Sequence, residues 1–167
     1  QMCIRDSFYS LAEGESEKDK SYISYNAVTG NSLDRDLYIA FQVLNYVLIQ
    51  GVGAPVKQAL VDAGIGSEII SFFEESICQP FFSIIAKNTE VSKKEEFVKI
   101  IREELEKLVK EGINKDSLNA GLNALEFRYR EADFGSYPKG LMYGLQMFDS
   151  GLYDSEKPFI HISANDT

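Results

Sequence analysis

The order in which strand-like and helix-like segments follow one another constrains the fold of this chain most. One segment of β-type alternation comes first, then two helical segments, two β-rich runs and three further helical segments. A doubly wound fold needs strict alternation of strands and helices, which this order excludes. It predicts instead an α+β fold, with a mainly antiparallel sheet and the helices packed on one face of it.

Three runs are predicted as strands. Tyr22 to Val28 alternates within a strand over about 20–29, and Glu68–Glu75 and Ile77–Lys87 are rich in β-forming residues. We expect Glu74-Glu75-Ser76 to form the turn of a hairpin between the last two. Pro80 cannot donate to a ladder, so it favours an edge strand or a late strand start.

Five helices are predicted from apolar spacing and end signals. The first is capped by Ser32 or Asp34 and runs to about Ile49. The second covers Pro55 to about Ala63 and ends at Gly64-Ile65-Gly66. The third helix is predicted to open at the capping box Ser92–Glu95 and to stop at Gly112, and its apolar stripe is Phe97, Ile101, Leu105 and Leu108. The fourth is predicted over Lys115–Asp133, with Leu118, Leu122, Leu125 and Tyr129 on one stripe. The fifth is predicted over Gly140–Phe148, with Leu141, Leu145 and Phe148 inward.

Composition narrows the function classes. The chain of 167 residues suits about one domain, and 17 basic against 26 acidic residues give a net charge of −9. Nucleic acids and anionic membranes attract surfaces rich in Lys and Arg, so we expect neither as a partner.

Two cysteines without a secretory segment ahead of them are typical of a cytoplasmic, reduced protein. Cys78 lies in an apolar stretch and is expected to be buried as a small apolar side chain. A disulfide between Cys3 and Cys78 is the alternative interpretation.

No catalytic motif emerges from the residues themselves. The segment Gly51–Lys57 follows a helix and lacks the spacing of a phosphate-binding loop. His161 is the only histidine, and we interpret it as an exposed or hydrogen-bonded structural residue. Glu74, Glu75 and Asp133 could be imagined as paired acids, but solvated turn carboxylates are the simpler interpretation. We expect no metal site and no catalytic residues in the chain.

The two ends of the chain are predicted to lie outside the domain. Gln1–Ser7 fits neither a signal peptide nor a helix start, and residues 11–20 are polar and charged. We therefore predict a remnant and linker over 1–19, a single α+β domain over 20–150, and the truncated start of a following segment over 151–167.

Several phrases resemble one known family. They are Tyr22–Thr29, the run from Gly51 to Gly66, NAGLNALEFRYREAD over Asn119–Asp133, the following Phe134–Leu141, and Leu152-Tyr153-Asp154 with Pro158-Phe159. Together these resemble the presequence-protease branch of the pitrilysin/insulinase zinc metallopeptidases, over roughly residues 20–162. The match is to the second, non-catalytic domain of the amino-terminal half, with its metallopeptidase-half-domain (LuxS/MPP-like) architecture.

The resemblance implies a division of labour within a longer parent chain. In that family, two halves close around a chamber that admits short unfolded peptides. Zinc is held by an inverted H-x-x-E-H helix in the first domain, where the Glu activates water. A chain with one histidine cannot contain that motif. The implied zinc therefore belongs to the parent enzyme and the implied partners are other domains of the same parent chain and short unfolded peptides.

The resemblance also suggests substrate-binding residues. Related enzymes hold one substrate end by strand addition in this domain, which would place the site at Gly51, Ile69, Ile70 and Ser71. Glycines of relatives are replaced here by Ile70 and Ser71, and a plain turn and core strand is the alternative interpretation.

Three hypotheses follow. The first is a non-catalytic chamber domain of a zinc endopeptidase, the second a catalytically inactive scaffold or peptide-binding domain of the same fold, and the third an unrelated α+β binding domain. Under the first we expect an exposed apolar patch where a neighbouring domain would dock.

Overall fold

A computed structural model describes residues 5–131 and 135–162 of the chain. Its elements, in chain order, are β1 (Ser21–Val28), α1 (Arg35–Asn45), a π-helical segment (Tyr46–Gln50), α2 (Pro55–Asp62), β2 (Glu68–Glu74), β3 (Phe81–Thr89), a 3-10 turn (Val91–Lys93), α3 (Lys94–Glu111), α4 (Lys115–Glu131) and α5 (Lys139–Gly151).

The three strands form one antiparallel sheet in the order β1-β3-β2. The last strand in the chain is thus the central one, pairing with β1 from Ser21↔Thr89 to Val28↔Phe81. Pro80 directly precedes this strand, which confirms the late start and excludes the edge position. The predicted hairpin turn is wrong: the connection spans residues 75–80, because the strand cannot begin before the proline.

Alternation along the strands gives the sheet one buried and one open face. Ile69, Phe82, Ile84 and Ala86 point to the same side and are nearly inaccessible to solvent. There they join core residues from the helices, among them Val56 and Leu60 of α2 and Phe97 and Ile101 of α3. The predicted fold class, an antiparallel sheet with helices on one face, is confirmed.

The first predicted helix consists of an α-helix followed by a π-helical segment. Asp34 caps α1 by accepting a hydrogen bond from the Leu37 amide. After Asn45 the chain widens into the π-helical segment, closed by a 2.7 Å bond from the Gly51 amide to the Tyr46 carbonyl. Three consecutive residues of this segment, Val47, Leu48 and Ile49, are buried.

The capping box predicted at Ser92–Glu95 is wrong. The 3-10 turn occupies Val91–Lys93, so α3 begins one residue after Lys93, whose side chain makes no capping bond. Ser92 therefore lies within the preceding turn and is not the residue that caps the helix. The predicted stripe of α3 is confirmed, with Phe97 and Ile101 fully buried.

The last two helices depart from prediction in what they bury. α4 buries Leu125 but leaves Leu122 exposed, and its predicted end at Asp133 lies outside the described residues. The inward orientation predicted for α5 is wrong: Leu141, Leu145 and Phe148 are 53%, 49% and 62% exposed. Their spacing makes one face of the helix apolar, and within the described residues no element covers it.

The stretch Arg35–Asp62 is long and apolar enough, by composition, to be compared with a membrane-spanning helix. The chain leaves helical geometry between Gly51 and Ala54, so α1 and α2 are separate helices. Ile49, Val56 and Leu60 from this stretch are among the most deeply buried side chains of the core. The buried side chains of this stretch therefore belong to the core of the domain.

Candidate functional site

The four residues predicted to bind substrate lie on β2 and at the end of the π-helical segment. Ile69 is 3% exposed and belongs to the core, so only its backbone is open to a ligand. Ser71 points to the same face and its hydroxyl hydrogen-bonds the side chain of Asn45 at the end of α1. Ile70 points to the opposite, open face and is half-buried.

Gly51 is held in place by close packing. Its backbone is extended, a conformation open to any residue, but a Cβ there would lie 3.1 Å from the ring of Tyr46 and 3.2 Å from its carbonyl oxygen. The π-helical segment that ends at Gly51 packs against β2. The predicted turn and strand are therefore neighbouring elements of the structure.

β2 lies at the edge of the sheet. It pairs with β3 through seven consecutive residue pairs, from Glu68↔Lys87 to Glu74↔Phe81. Its second side has no strand partner among residues 5–131 and 135–162. In an antiparallel strand, alternate residues direct their N–H and C=O groups away from the partner, so this edge presents a row of backbone donors and acceptors.

An apolar surface adjoins that edge on the open face of the sheet. Phe72 of β2 is 48% exposed, and its ring lies 6.2 Å from the ring of Phe81 in an edge-to-face arrangement. Ile70 shares this face, two residues earlier on the same strand. A peptide aligned with β2 would thus find apolar side chains beside the backbone groups.

A second cluster was missed by sequence reasoning. It gathers side chains from five separate segments, namely Tyr38 and Gln42 of α1, Glu75 of the β2–β3 connection, Tyr129 of α4, Asp149 of α5, and His161 near the carboxyl end. The Tyr129 hydroxyl donates to Gln42 at 3.0 Å, and the Tyr38 hydroxyl hydrogen-bonds the Glu75 carboxylate.

The carboxyl groups of this cluster have perturbed acidities. Burial, and after it the charge of the nearby Asp149 carboxylate, raise the pKa of Glu75 to about 7, although the hydrogen bond from Tyr38 and the charge of Arg128 oppose this shift. Burial also raises the pKa of Asp149, while His161 opposes that shift. The pKa of the Tyr38 hydroxyl is raised, first by burial and then by the Glu75 charge. Glu75 is therefore not the solvated turn carboxylate that we expected.

His161 is a buried structural residue. It is 2% exposed, and its ring stacks on Tyr38 with 4.2 Å between ring centroids. Its Nε2 lies 2.6 Å from the Ser32 carbonyl oxygen, which can only accept, so Nε2 carries the proton and donates. This agrees with the hydrogen-bonded alternative of the sequence interpretation.

The described residues offer no donor set for zinc. Within 5–131 and 135–162, no three His, Cys, Asp or Glu side chains come together as potential metal ligands. Cys78 is exposed, which corrects the expectation that it is buried, and Cys3 lies outside the described residues. Asp133, considered as a possible acid partner, also lies outside them.

The chain is similar to known proteins in both sequence and fold. The family model described as the Peptidase M16 inactive domain matches residues 11–125. The chain is 44% identical over 154 residues to Protein HypA of Clostridium perfringens, and 30% identical over 128 residues to Presequence protease 1, chloroplastic/mitochondrial, of Arabidopsis thaliana. These matches cover 92% and 76% of this chain, but only 16% and 12% of the respective relatives.

Solved structures show the same fold at low identity. The inactive peptidase domain of a candidate zinc protease from Bordetella parapertussis superposes with a TM-score of 0.68 at 11% identity, covering 87% of this chain and 75% of that one. A candidate zinc protease from Bordetella pertussis gives a TM-score of 0.65, also at 11% identity, covering 87% and 77%.

Proposed function

This chain belongs to the family of inactive domains of M16 peptidases, and from that premise we propose that it is the non-catalytic, substrate-binding domain of a zinc metalloendopeptidase that degrades short unstructured peptides. The names of two similar proteins, a presequence protease and a candidate zinc protease, support a peptidase as the parent. A cytoplasmic location in a bacterium belongs to the same proposal.

The proposed parent is several times longer than this chain. The chain spans about a sixth of one curated relative and about an eighth of another, by the coverages given above. A longer protein would bring other domains of the same chain as partners. Zinc, which would polarise the scissile carbonyl and activate water, would be held by residues of such a domain. In this proposal, the residues present here bind the peptide and do not cleave it.

The edge position of β2 is the observation that supports peptide binding most directly. An extended peptide laid along an open edge bonds through its backbone, and this makes the affinity tolerant of sequence. A peptidase that degrades many unfolded peptides needs such tolerance. Ile70 and Phe72, half-buried and exposed beside the edge, would supply apolar contacts to alternate side chains of the peptide.

Peptide binding can be measured on the chain as it stands. We expect a labelled, unstructured apolar peptide of about ten residues to show saturable binding by fluorescence polarisation, because that length spans β2. N-methylation of the peptide at alternate residues removes every second donor. Two peptides are compared, one N-methylated at the odd and one at the even residues. Only alternate N–H groups of the peptide point toward β2, so one of the two peptides should bind at least about tenfold more weakly, while the other binds nearly normally.

A pair of variants tests whether β2 is the binding edge. Phe72→Asp should weaken binding about five- to tenfold, because it removes apolar contact and adds charge beside the edge. Val109→Asp makes a comparable change at an exposed site on α3, 86% accessible, and should leave the affinity unchanged. Equal effects of the two variants, or equal effects of the two N-methylated peptides, would rule out strand addition at β2. Absence of any binding would favour the inactive scaffold.

A further inference from the structure

A cleft rich in lysine lies at the end of the sheet where β2 begins. It is open to solvent, encloses about 520 Å³, and is lined in part by Gly66 and Ser67, the two residues directly before β2. Three lysines from other segments line it as well, Lys18 and Lys20 ahead of β1 and Lys93 at the end of the 3-10 turn. The chain as a whole has a net charge of −9, so three lysines around one concave surface make this a local site for an anionic group.

Lys18 is the cation of the cleft that is most available to a ligand. The lining also contains two acidic residues, Asp19 and Glu90. Lys20 and Lys93 form ion pairs with glutamates that lie outside the lining. Lys18 is exposed and forms no ion pair with any residue that the structure describes.

Hydrogen bonds between separate segments fix the walls of the cleft. Asp19 and Asn88 both line it, and they are the two non-glycine residues of the described ranges with positive φ, +54° and +53°. The Asp19 amide donates to the Glu90 carboxylate at 2.8 Å, and the Asn88 side-chain amide donates to the Ser67 hydroxyl at 2.9 Å. Such backbone conformations persist where the surrounding structure holds them, so the cleft is preformed.

The direction of a peptide on β2 decides which of its ends comes to this cleft. Both strand pairings of the sheet are antiparallel, the more stable arrangement per residue. Because β2 runs from Glu68 to Glu74, an antiparallel peptide would have its carboxyl end beside Ser67 and its amino end beside Glu74.

The charges at the two ends of β2 match that direction. The peptide carboxylate would come to the lysines, where the charge of Glu68 is already matched by Lys87 at 2.9 Å. The peptide ammonium group would come to Glu74, whose carboxylate accepts a 3.0 Å bond from the Ser76 amide. A parallel peptide would bring each of its charged ends to groups of like charge, which repel it.

We propose that the cleft holds the terminal carboxylate of a short peptide bound antiparallel to β2, and that this contact sets the direction of the bound peptide. The inference rests on the proposed function, because it requires peptide binding at the β2 edge. Capture of a free carboxyl end is a recurring mode of peptide recognition. Since the cleft adjoins the first residue of a seven-residue strand, it favours short peptides with a free end over internal segments of long chains.

A pair of peptides tests recognition of the carboxylate. Both have the same unstructured apolar sequence of about ten residues, with the fluorophore on a central side chain, and one ends in a free acid and the other in a carboxamide. At low ionic strength the free acid should bind about fivefold more tightly, and added salt should reduce this preference. Equal affinities, or tighter binding of the amide, would overturn the inference and leave the proposed function standing, whereas failure of both peptides to bind would contradict both.

Two double variants test whether the lysines of the cleft are responsible. Lys18→Gln/Lys93→Gln should reduce the preference for the free acid to less than about twofold and leave the affinity for the amide unchanged. Lys110→Gln/Lys115→Gln makes the same charge change at two exposed lysines outside the cleft and should keep the full preference. The same preference in both double variants would overturn the role of the cleft.

A nitroxide on the peptide tests its direction by NMR. Placed on the last side chain but one, beside the free carboxylate, it should broaden the amide signal of Ser67 more than that of Ser76. Placed on the second side chain, it should reverse the order, because the two amides lie at opposite ends of β2. The opposite pattern would show a parallel peptide and would overturn the inference.

Discussion

Among single residues, the two glycines that follow α2, Gly64 and Gly66, differ in how closely their neighbours pack against them. Gly64 and Gly66 both have positive φ, +65° and +70°, the left-handed region that favours glycine. A Cβ on Gly66 would lie 2.7 Å from the Lys87 carbonyl oxygen, whereas a Cβ on Gly64 would meet nothing within 4 Å. The entry into β2 is thus pressed against the central strand at Gly66, and Ser67 bonds the same carbonyl at 2.8 Å.

This difference predicts unequal costs of adding one methyl group. Gly64→Ala should lower the free energy of unfolding by about 1 kcal/mol through backbone strain alone. Gly66→Ala should cost about 3 kcal/mol, because the overlap with Lys87 adds to the same strain. Urea denaturation of the two variants measures both values. Equal losses would mean that contact with β3 contributes nothing at Gly66.

At the scale of elements, α5 shows an apolar face without a cover. Leu141, Leu145, Phe148 and Leu152 repeat at intervals of four, three and four, and each is about half exposed or more. The exposed apolar patch predicted from the family resemblance is therefore present, on the helix that was expected to turn it inward. Its role in docking a neighbouring domain remains a prediction.

Charges on this face should reduce dye binding without destabilising the domain. The double variant Leu145→Glu/Phe148→Glu should lower the fluorescence of a hydrophobic dye by about half and change the free energy of unfolding by less than about 0.5 kcal/mol, since neither side chain is in the core. Val61→Glu/Val109→Glu alters two exposed valines of α2 and α3 and should leave dye binding nearly unchanged. If the chain without substitutions is monomeric and binds no dye, this expectation is contradicted.

Elements were predictable where periodicity and burial coincide, as in α3, whose Phe97 and Ile101 enter the core as expected. Periodicity identified an apolar face on α5 as well, but it carries no information about what lies over that face. The edge position of β2 could not be predicted from local patterns, because it depends on the strand order. In that order β1 pairs with β3, a strand more than fifty residues away, and β2 is left at an edge of the sheet. The residues of the Glu75 cluster come from five separate segments of the chain, so no local spacing could have indicated it.

At the scale of the whole molecule, the division between binding and catalysis gives a further prediction. This chain alone should leave a quenched, unstructured peptide intact with or without added zinc, because its described residues hold no donor set for the metal. The complete gene that contains this segment should encode H-x-x-E-H upstream, and its product should cleave the same peptide. Cleavage by this chain alone, or a complete gene without the motif, would refute that division.

The central position of β3 has a consequence for how the chain is made. β1 is synthesised first, yet its hydrogen-bonding partner is β3, whose residues lie between 53 and 68 positions later in the paired register. During translation, β1 must therefore wait, unpaired, while α1, α2 and β2 emerge. Pairings between distant segments also close slowly in refolding. The sheet can therefore be completed only after β3 has been synthesised, because β3 lies between β1 and β2 and pairs with both.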